Sequence, residues 1–328
     1  MGVWEAAGLM VLSFVLLAKC ADYLVEGAID IARYLHAPPI LIGIVIVGLG
    51  TTAPELAVSV TAALRDSPEV ALGNAVGSVI YDDGLALPMA AFFAPAAIAI
   101  DRIVLRSAAI FLITVDLVAW YMASDGTLAR VEGGALVGLF VLYLIYSVWE
   151  QKRRPRTEVV EEEAPSRSLW LVALLFAGGL AGVVVSSHFI VEATPVVGEA
   201  LGLPNVVIGL VVVALGTSIP EVATCIVAAR KGQGALAVGN ILGADILNIC
   251  WIAGASALAN PLVVPANVVN FMFPWMLAIV LTMLGLMRLG YELNRWKGLV
   301  LLVLCIAYLI ALFATNPGAL APGIEKGV

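Results

Sequence analysis

Charge is scarce in this chain. Of its 328 residues only 12% are Asp, Glu, Lys or Arg, while 62% are hydrophobic, against about 45–50% apolar in a typical soluble domain. That balance excludes a soluble globular protein. Histidine is scarcer still, with His36 and His188 alone and in dissimilar settings, so a zinc enzyme or a histidine-dependent serine protease has no visible constellation. The four cysteines, Cys20, Cys225, Cys250 and Cys305, all lie in apolar segments without a CxxC pair and read as small core residues. No basic residue precedes the first apolar run. Glu5 stands there instead, and the run is too long for a signal-peptide core. The net charge of −7 owes part of its sign to Glu158, Glu161, Glu162 and Glu163 in one linker, and nucleic acid is not an expected partner.

What the chain has in quantity is long apolar runs. A helix needs about 20 residues to span a bilayer, and runs of that order fall near 3–32, 39–64, 69–95, 103–121, 132–150, 168–194, 205–229, 234–260, 270–288 and 296–314. The expectation is an all-α polytopic membrane protein of ten transmembrane helices. The stretch "QKRRPRTEVVEEEAPSRS" from Gln151 to Ser168 is the one long, charged, proline-containing break. It separates a first unit, 1–150, from a second, 169–328. With this linker cytoplasmic, most Lys and Arg in the loops fall inside, so the positive-inside rule places both termini outside.

The two units carry related sequences. Offset by 166 residues, Trp4 aligns with Trp170, Glu26 with Glu192 and Pro38 with Pro204, and 11 of 22 positions are identical between Gly43–Leu64 and Gly209–Arg230. Shared hydrophobicity does not explain Gly50, Thr51, Pro54 and Glu55 matching Gly216, Thr217, Pro220 and Glu221. The chain is an internal duplication. Five spans per unit is an odd number, so the second unit enters the membrane from the opposite side. The expected architecture is two inverted five-helix repeats, a plan common among secondary transporters.

The repeated stretches "VGLGTTAPELAVS" and "VALGTSIPEVATC" then each supply half of one site. Gly50 and Pro54, and likewise Gly216 and Pro220, interrupt apolar helices. Irregular backbone at membrane depth is tolerated only where it faces protein or a wet cavity. Thr51, Thr52, Thr217 and Ser218 add hydroxyls, and Glu55 and Glu221 add carboxylates with Arg65 and Arg230 only at the far helix ends. An acid at a helix centre costs on the order of 2.5–3.5 kcal/mol on insertion scales. Carboxylates, carbonyls and hydroxyls without histidine or thiolate make a hard-cation ligand set, suited to Ca²⁺ and, by inference, Na⁺.

A second repeated motif follows: "ALGNAVGSVIYDDG" (71–84) against "AVGNILGADILNIC" (237–250). Asn74 and Asn240 match, either as ligands or as amide ties between helices. Ser78 and Asp82 share one helical face four residues apart, and their repeat mates are Ala244 and Asn248. The site is therefore asymmetric, with a third carboxylate from the first half and an amide from the second.

These four linked motifs, in this order, resemble the alpha repeats of the calcium/cation antiporter superfamily, most closely its prokaryotic sodium/calcium exchanger branch. The resemblance covers the whole chain. It implies an alternating-access exchanger in a prokaryotic plasma membrane, with Ca²⁺ and Na⁺ as transported ions and no cofactor or enzymatic activity. Glu55 and Glu221 would be the central calcium ligands, Thr51, Thr52, Thr217, Ser218 and Ser78 would line the ion sites, and Asp82 and Asn248 match site-lining positions. The chain departs from the family pattern at Val79, Ala244 and Asp245, where asparagine, serine and asparagine are usual, and at Asp83, the second acid of an unusual pair. A proton-coupled calcium exchanger and a passive cation channel stay open as alternatives.

Other acids have blander readings. Lys19, Asp22 and Glu26 lie at three- and four-residue steps in the first span, where they can satisfy one another. Asp116 is expected toward one end of the fourth span, at the membrane interface. An intramembrane aspartyl protease is excluded, because Leu242 and Ala244 occupy the glycine positions of its second motif.

Overall fold

The computed structural model describes residues 2–37, 39–153, 167–200 and 216–315, which are helical almost throughout. The long helices are α1 (Val3–Leu35), α4 (Val70–Phe93), α5 (Arg102–Ala123), α6 (Arg130–Arg153), α7 (Leu169–Ala200), α9 (Gly234–Ala259), α10 (Val268–Arg288) and α11 (Arg295–Thr315). Between α1 and α4 lie α2 (Pro39–Thr51) and α3 (Ala53–Leu64), a pair bent by 46° at Thr52. Among the described residues eight helices are long and apolar enough to cross a bilayer, nine if the bent pair is one span. The run expected at 205–229 falls partly outside the described residues; α8 (Ile219–Arg230) is its described portion.

Burial sorts the helices. Four-fifths of the apolar windows of α4 and α9 are buried, against about a quarter for α1 and α7. The two central helices are enclosed by protein and carry buried polar residues such as Asn74, Asp82, Asn240 and Asn248 among apolar and small ones, whereas α1 and α7 present apolar side chains outward as a lipid-facing helix must. Trp4 and Trp170 stand at their exposed starts, the usual place for an amphipathic ring at a membrane–water boundary. At 33 residues α1 runs about 50 Å, longer than the roughly 30 Å hydrocarbon layer, so tilt or protrusion is built in.

Glycine sets how closely the helices cross. A Cβ on Gly239 of α9 would lie 2.1 Å from the Ile40 carbonyl oxygen of α2, and one on Gly243 would lie 2.3 Å from that of Ile44. In the same way α1 and α7 pack backbone to backbone, with Gly179 against Leu24. Small residues at such crossings replace the hydrophobic drive that lipid does not provide.

Prolines act differently from a simple break. Pro54 and Pro220 sit in the first turns of α3 and α8, two residues after the discontinuity, where a missing N–H is harmless. The discontinuities themselves are Thr52 (φ −79°, ψ 5°) and Ser218 (φ −84°, ψ 2°). Wider, π-helical turns interrupt α4 at Asp82–Ala86 and α9 at Leu247–Ala253, a feature frequent at functional sites. The loops add two short antiparallel pairs that an all-α expectation omits: β1 (Ile98–Ala99) with β4 (Glu292–Leu293), and β2 (Thr127–Leu128) with β3 (Leu262–Val263).

Candidate functional site

The bent α2–α3 pair, α8, and the two central helices meet where the polar residues of both motifs are buried. Thr51, Thr52, Glu55, Asn74, Ser78, Asp82, Thr217, Ser218, Glu221, Asn240 and Asn248 are all at most 9% exposed. Each glutamate lies in the first turn of the helix after its discontinuity, where unpaired backbone N–H groups and the helix dipole favour negative charge. Even so, no hydrogen-bond partner among the described residues reaches either oxygen of Glu55 or of Glu221.

The hydroxyls cross between halves. Thr51 Oγ1 donates to Asn240 Oδ1 and Thr217 Oγ1 to Asn74 Oδ1, both at 3.2 Å. Thr217 also lies beside Glu55, and Thr51 beside Glu221. Asn74 Nδ2 donates to Ser59 Oγ (2.9 Å) and to the Glu55 carbonyl (3.2 Å), while Ser59 Oγ donates to the Ala71 carbonyl. In the second half Cys225 takes the place of Ser59: Asn240 Nδ2 donates to its sulfur and the thiol donates to the Ala237 carbonyl. Both asparagines thus position the threonines while their amide protons are spent on protein groups.

Not every candidate oxygen is free to serve. Thr52 Oγ1 donates back along its own helix to the Gly48 carbonyl at 2.9 Å, which ties it to the backbone and leaves only its lone pairs for another role. Ser78 Oγ and Ser218 Oγ are buried without a partner among the described residues, and Ser218 lies beside Asp82. Asn248 Nδ2 donates to Asp82 Oδ2 at 3.3 Å, so the acid and amide that differ between the halves touch. The charged neighbours of Glu55 are Glu221 and Asp82, and Asp82 also has Glu221, Asp83 and Asp245 as charged neighbours. All are acidic. Such a cluster of buried oxygens with like charges needs a cation or protons to be stable in a dry interior.

Two expectations from the sequence change. Asp116 is not at an interface: it is fully buried, with both oxygens unpartnered among the described residues, and its charged neighbour is Asp83. The signal for this was present, since a lone acid seven residues inside an apolar helix carries the same cost as Glu55. Asp22 and Glu26 do not rely on Lys19. Lys231 Nζ lies 2.8 Å from Glu26 and 3.4 Å from Asp22, and Arg167 bridges Glu26 (2.9 Å) and the buried Asp30 (3.0 Å). Long basic side chains from outside α1 reach these acids, and helix spacing alone cannot register such partners. His188 and Glu192, 4.0 Å apart, are mostly exposed on α7, away from the buried group.

The sequence pattern of the family described as "Sodium/calcium exchanger protein" matches residues 5–149 and 171–314. The sodium/calcium exchanger MaX1 of Methanosarcina acetivorans is 30% identical, over 93% of this chain and 97% of its own length. The inner membrane protein YrbG of Escherichia coli is 34% identical, over 78% of this chain and 80% of its own. Among solved structures, the sodium-calcium exchanger NCX_Mj soaked with 2.5 mM Na+ and 0.1 mM Ca2+ superposes with a TM-score of 0.82 at 27% identity, covering 95% of this chain and 99% of that one.

Proposed function

From the premise that this chain belongs to the sodium/calcium exchanger family of integral membrane antiporters, we propose that it exchanges Ca²⁺ for Na⁺ by alternating access. The ions bind in the pocket formed by Glu55, Glu221, Asp82 and the surrounding hydroxyl and amide oxygens. The observation that carries this reading is the four buried oxygens of Glu55 and Glu221, unpartnered by any described donor yet flanked by threonine hydroxyls. An acid kept for packing would be paired; a ligand must keep its lone pairs open.

Two inverted five-helix repeats, 1–150 and 169–328, joined by a cytoplasmic linker at 151–168, are the architecture we infer for the ten spans, with both termini outside and the chain in the plasma membrane. Support comes from contacts that recur at the 166-residue offset. Asn74 with Ser59 and Ala71 is echoed by Asn240 with Cys225 and Ala237. Asp82 and Asn248, themselves 166 apart, touch, as mates do only near a two-fold axis. Alternating access then consists of two nearly equivalent packings of the same halves. α1 and α7, packed on each other at the lipid-facing edge, form the moving pair.

Charge supplies the coupling. Glu55, Glu221 and Asp82 carry three negative charges when ionised. Ca²⁺ leaves one uncompensated and three Na⁺ leave none, so the loaded states differ by one charge, and the membrane potential contributes about 2.3 kcal/mol per 100 mV to the cycle. The deciding experiment is ⁴⁵Ca²⁺ uptake into proteoliposomes driven in turn by a sodium gradient and by a pH gradient. Uptake with sodium alone supports this reading. Uptake with the pH gradient alone replaces it with a proton-coupled exchanger, and uptake needing no counter-ion replaces it with a channel.

A further inference from the structure

The two repeated stretches each end on a residue that the pocket does not use, Ser59 in the first and Cys225 in the second. Both are fully buried. They lie one turn beyond Glu55 on α3 and beyond Glu221 on α8, and each reaches the asparagine of the central helix beside it. Ser59 Oγ donates to the Ala71 carbonyl at 3.1 Å and accepts from Asn74 Nδ2 at 2.9 Å. Since a carbonyl can only accept, the hydroxyl proton is held on that side and a lone pair faces the amide. An asparagine side chain carries its donors on nitrogen and its acceptor on oxygen, so turning Nδ2 to Ser59 presents Oδ1 to the other half. Thr217 donates to it there at 3.2 Å. The same order of donors and acceptors runs from the Ala237 carbonyl through Cys225 and Asn240 to Thr51.

The two relays differ in strength. Asn74 Nδ2 has a second acceptor in the Glu55 carbonyl at 3.2 Å, whereas among the described residues Asn240 Nδ2 meets only the Cys225 sulfur, at 3.9 Å. Sulfur is a weak acceptor and a thiol a weak donor. We propose that Ser59 and Cys225 are positioning residues of the exchange pocket, each orienting one asparagine amide and through it the threonine hydroxyl of the opposite half, with the Thr51 side the looser. The inference rests on the exchange function proposed above. A threonine whose proton is drawn into the relay offers its lone pairs to a cation, and a hydroxyl already turned that way loses less freedom when the ion arrives. A firm relay therefore raises affinity, and a slack one lowers it. Serine at position 59 against cysteine at position 225 makes the two halves of the pocket unequal by a route separate from Asp82 and Asn248.

The test is the affinity of the full chain for Ca²⁺ in detergent, by equilibrium dialysis with ⁴⁵Ca²⁺ in sodium-free buffer, for Cys225→Ser, Cys225→Ala, Ser59→Cys and Ser59→Ala. A neutral hydrogen bond shifts an equilibrium by roughly 2- to 12-fold, which sets the size of each effect. Cys225→Ser is expected to bind more tightly than wild type and Cys225→Ala more weakly, while Ser59→Cys loses less than Ser59→Ala. Serine and alanine fill almost the same volume, so a role in packing alone gives them the same effect at position 225. Equal affinities for Cys225→Ser and Cys225→Ala, or for Ser59→Ala and wild type, overturn the proposal. The gain from Cys225→Ser is also expected to vanish in a Thr51→Val background, because it acts through that hydroxyl, and a gain of the same size there overturns the proposal too. Should Thr51→Val bind too weakly to be read, or Ser59→Ala not fold, the order of serine, cysteine and alanine at position 225 decides alone. Wild type that binds no Ca²⁺ removes the exchange pocket and this inference with it; wild type that binds Ca²⁺ while the serine and alanine variants behave alike overturns this inference only.

Discussion

Exchanging Asp82 and Asn248 tests whether two unlike residues share one ion. In the structure Asn248 Nδ2 donates to Asp82 Oδ2 at 3.3 Å. A hydrogen bond to a charged group contributes about 1.5–3 kcal/mol, or roughly 10- to 150-fold in an equilibrium. Asp82→Asn leaves at best a neutral bond in its place and removes one of three charges, so Ca²⁺ affinity is expected to fall by about 100-fold. Asn248→Asp sets two carboxylates at the same separation, a repulsion of about 5 kcal/mol at an effective dielectric constant near 20, relieved only by a captured proton or a trapped ion; turnover is expected to fall as far. The double exchange restores both the charge and the donor. Rescue will be incomplete, because Asp82 has Ser218 beside it, whereas the equivalent of Ser218 is Thr52, whose hydroxyl is bonded to Gly48. In sodium-driven ⁴⁵Ca²⁺ flux measured on all four proteins as a double-mutant cycle, the double exchange is expected to recover to within about tenfold of wild type, a coupling of about 4 kcal/mol. Strict additivity would refute the shared pocket.

Glu55→Gln and Glu221→Gln should each abolish calcium exchange in a chain that still elutes as a folded membrane protein; near-normal flux in either removes the carboxylates from the site. Single cysteines at Ser67 and Gln233, in a cysteine-free background, should react with an impermeant maleimide from opposite sides of the membrane, and labelling from one side contradicts the inverted arrangement. Gly239→Ala inserts a methyl 2.1 Å from the Ile40 carbonyl oxygen, so α2 must shift on α9 at a cost of about 1–3 kcal/mol; an unchanged thermal midpoint in detergent would mean that the crossing is looser than described.

Much of this molecule could be read before its coordinates. The duplication put the threonines and asparagines of two related motifs into one polar group, because a bilayer leaves hydroxyls and amides few other places to go, but the crossed pairing of Thr51 with Asn240 and Thr217 with Asn74 came only from the structure. The unequal pair Asp82 and Asn248 was visible for the same reason. Asp116 carried a signal that went unused, a lone acid well inside an apolar helix, but spacing along one helix does not say which neighbours cover it, and it is fully buried. The partners of Asp22 and Glu26 escaped likewise: Lys231 lies some 200 residues away in a loop. The π-helical turns leave no trace in the sequence of helices buried on nearly every side, since no solvent-facing stripe exists to slip out of phase.

Basic and acidic residues are segregated in depth, and this bears on what the fold requires. The ion pairs of Arg33, Arg167 and Lys231 are with Asp22, Glu26 and Asp30 toward one end of α1, and each involves a partly exposed partner. In the interior stand Glu55, Glu221, Asp82, Asp83, Asp116 and Asp245, each with at least one unpartnered oxygen, and their neighbours among the described residues are like charges, hydroxyls and the Asn248 amide. Uncompensated, such groups each cost several kcal/mol, and a whole membrane domain is stable by only about 5–15 kcal/mol. The two central helices therefore cannot hold their observed packing with these acids all ionised and bare. Their compact state is conditional on what they bind, which is the property an exchanger needs: a loaded site that can close and cross, and an empty one that cannot.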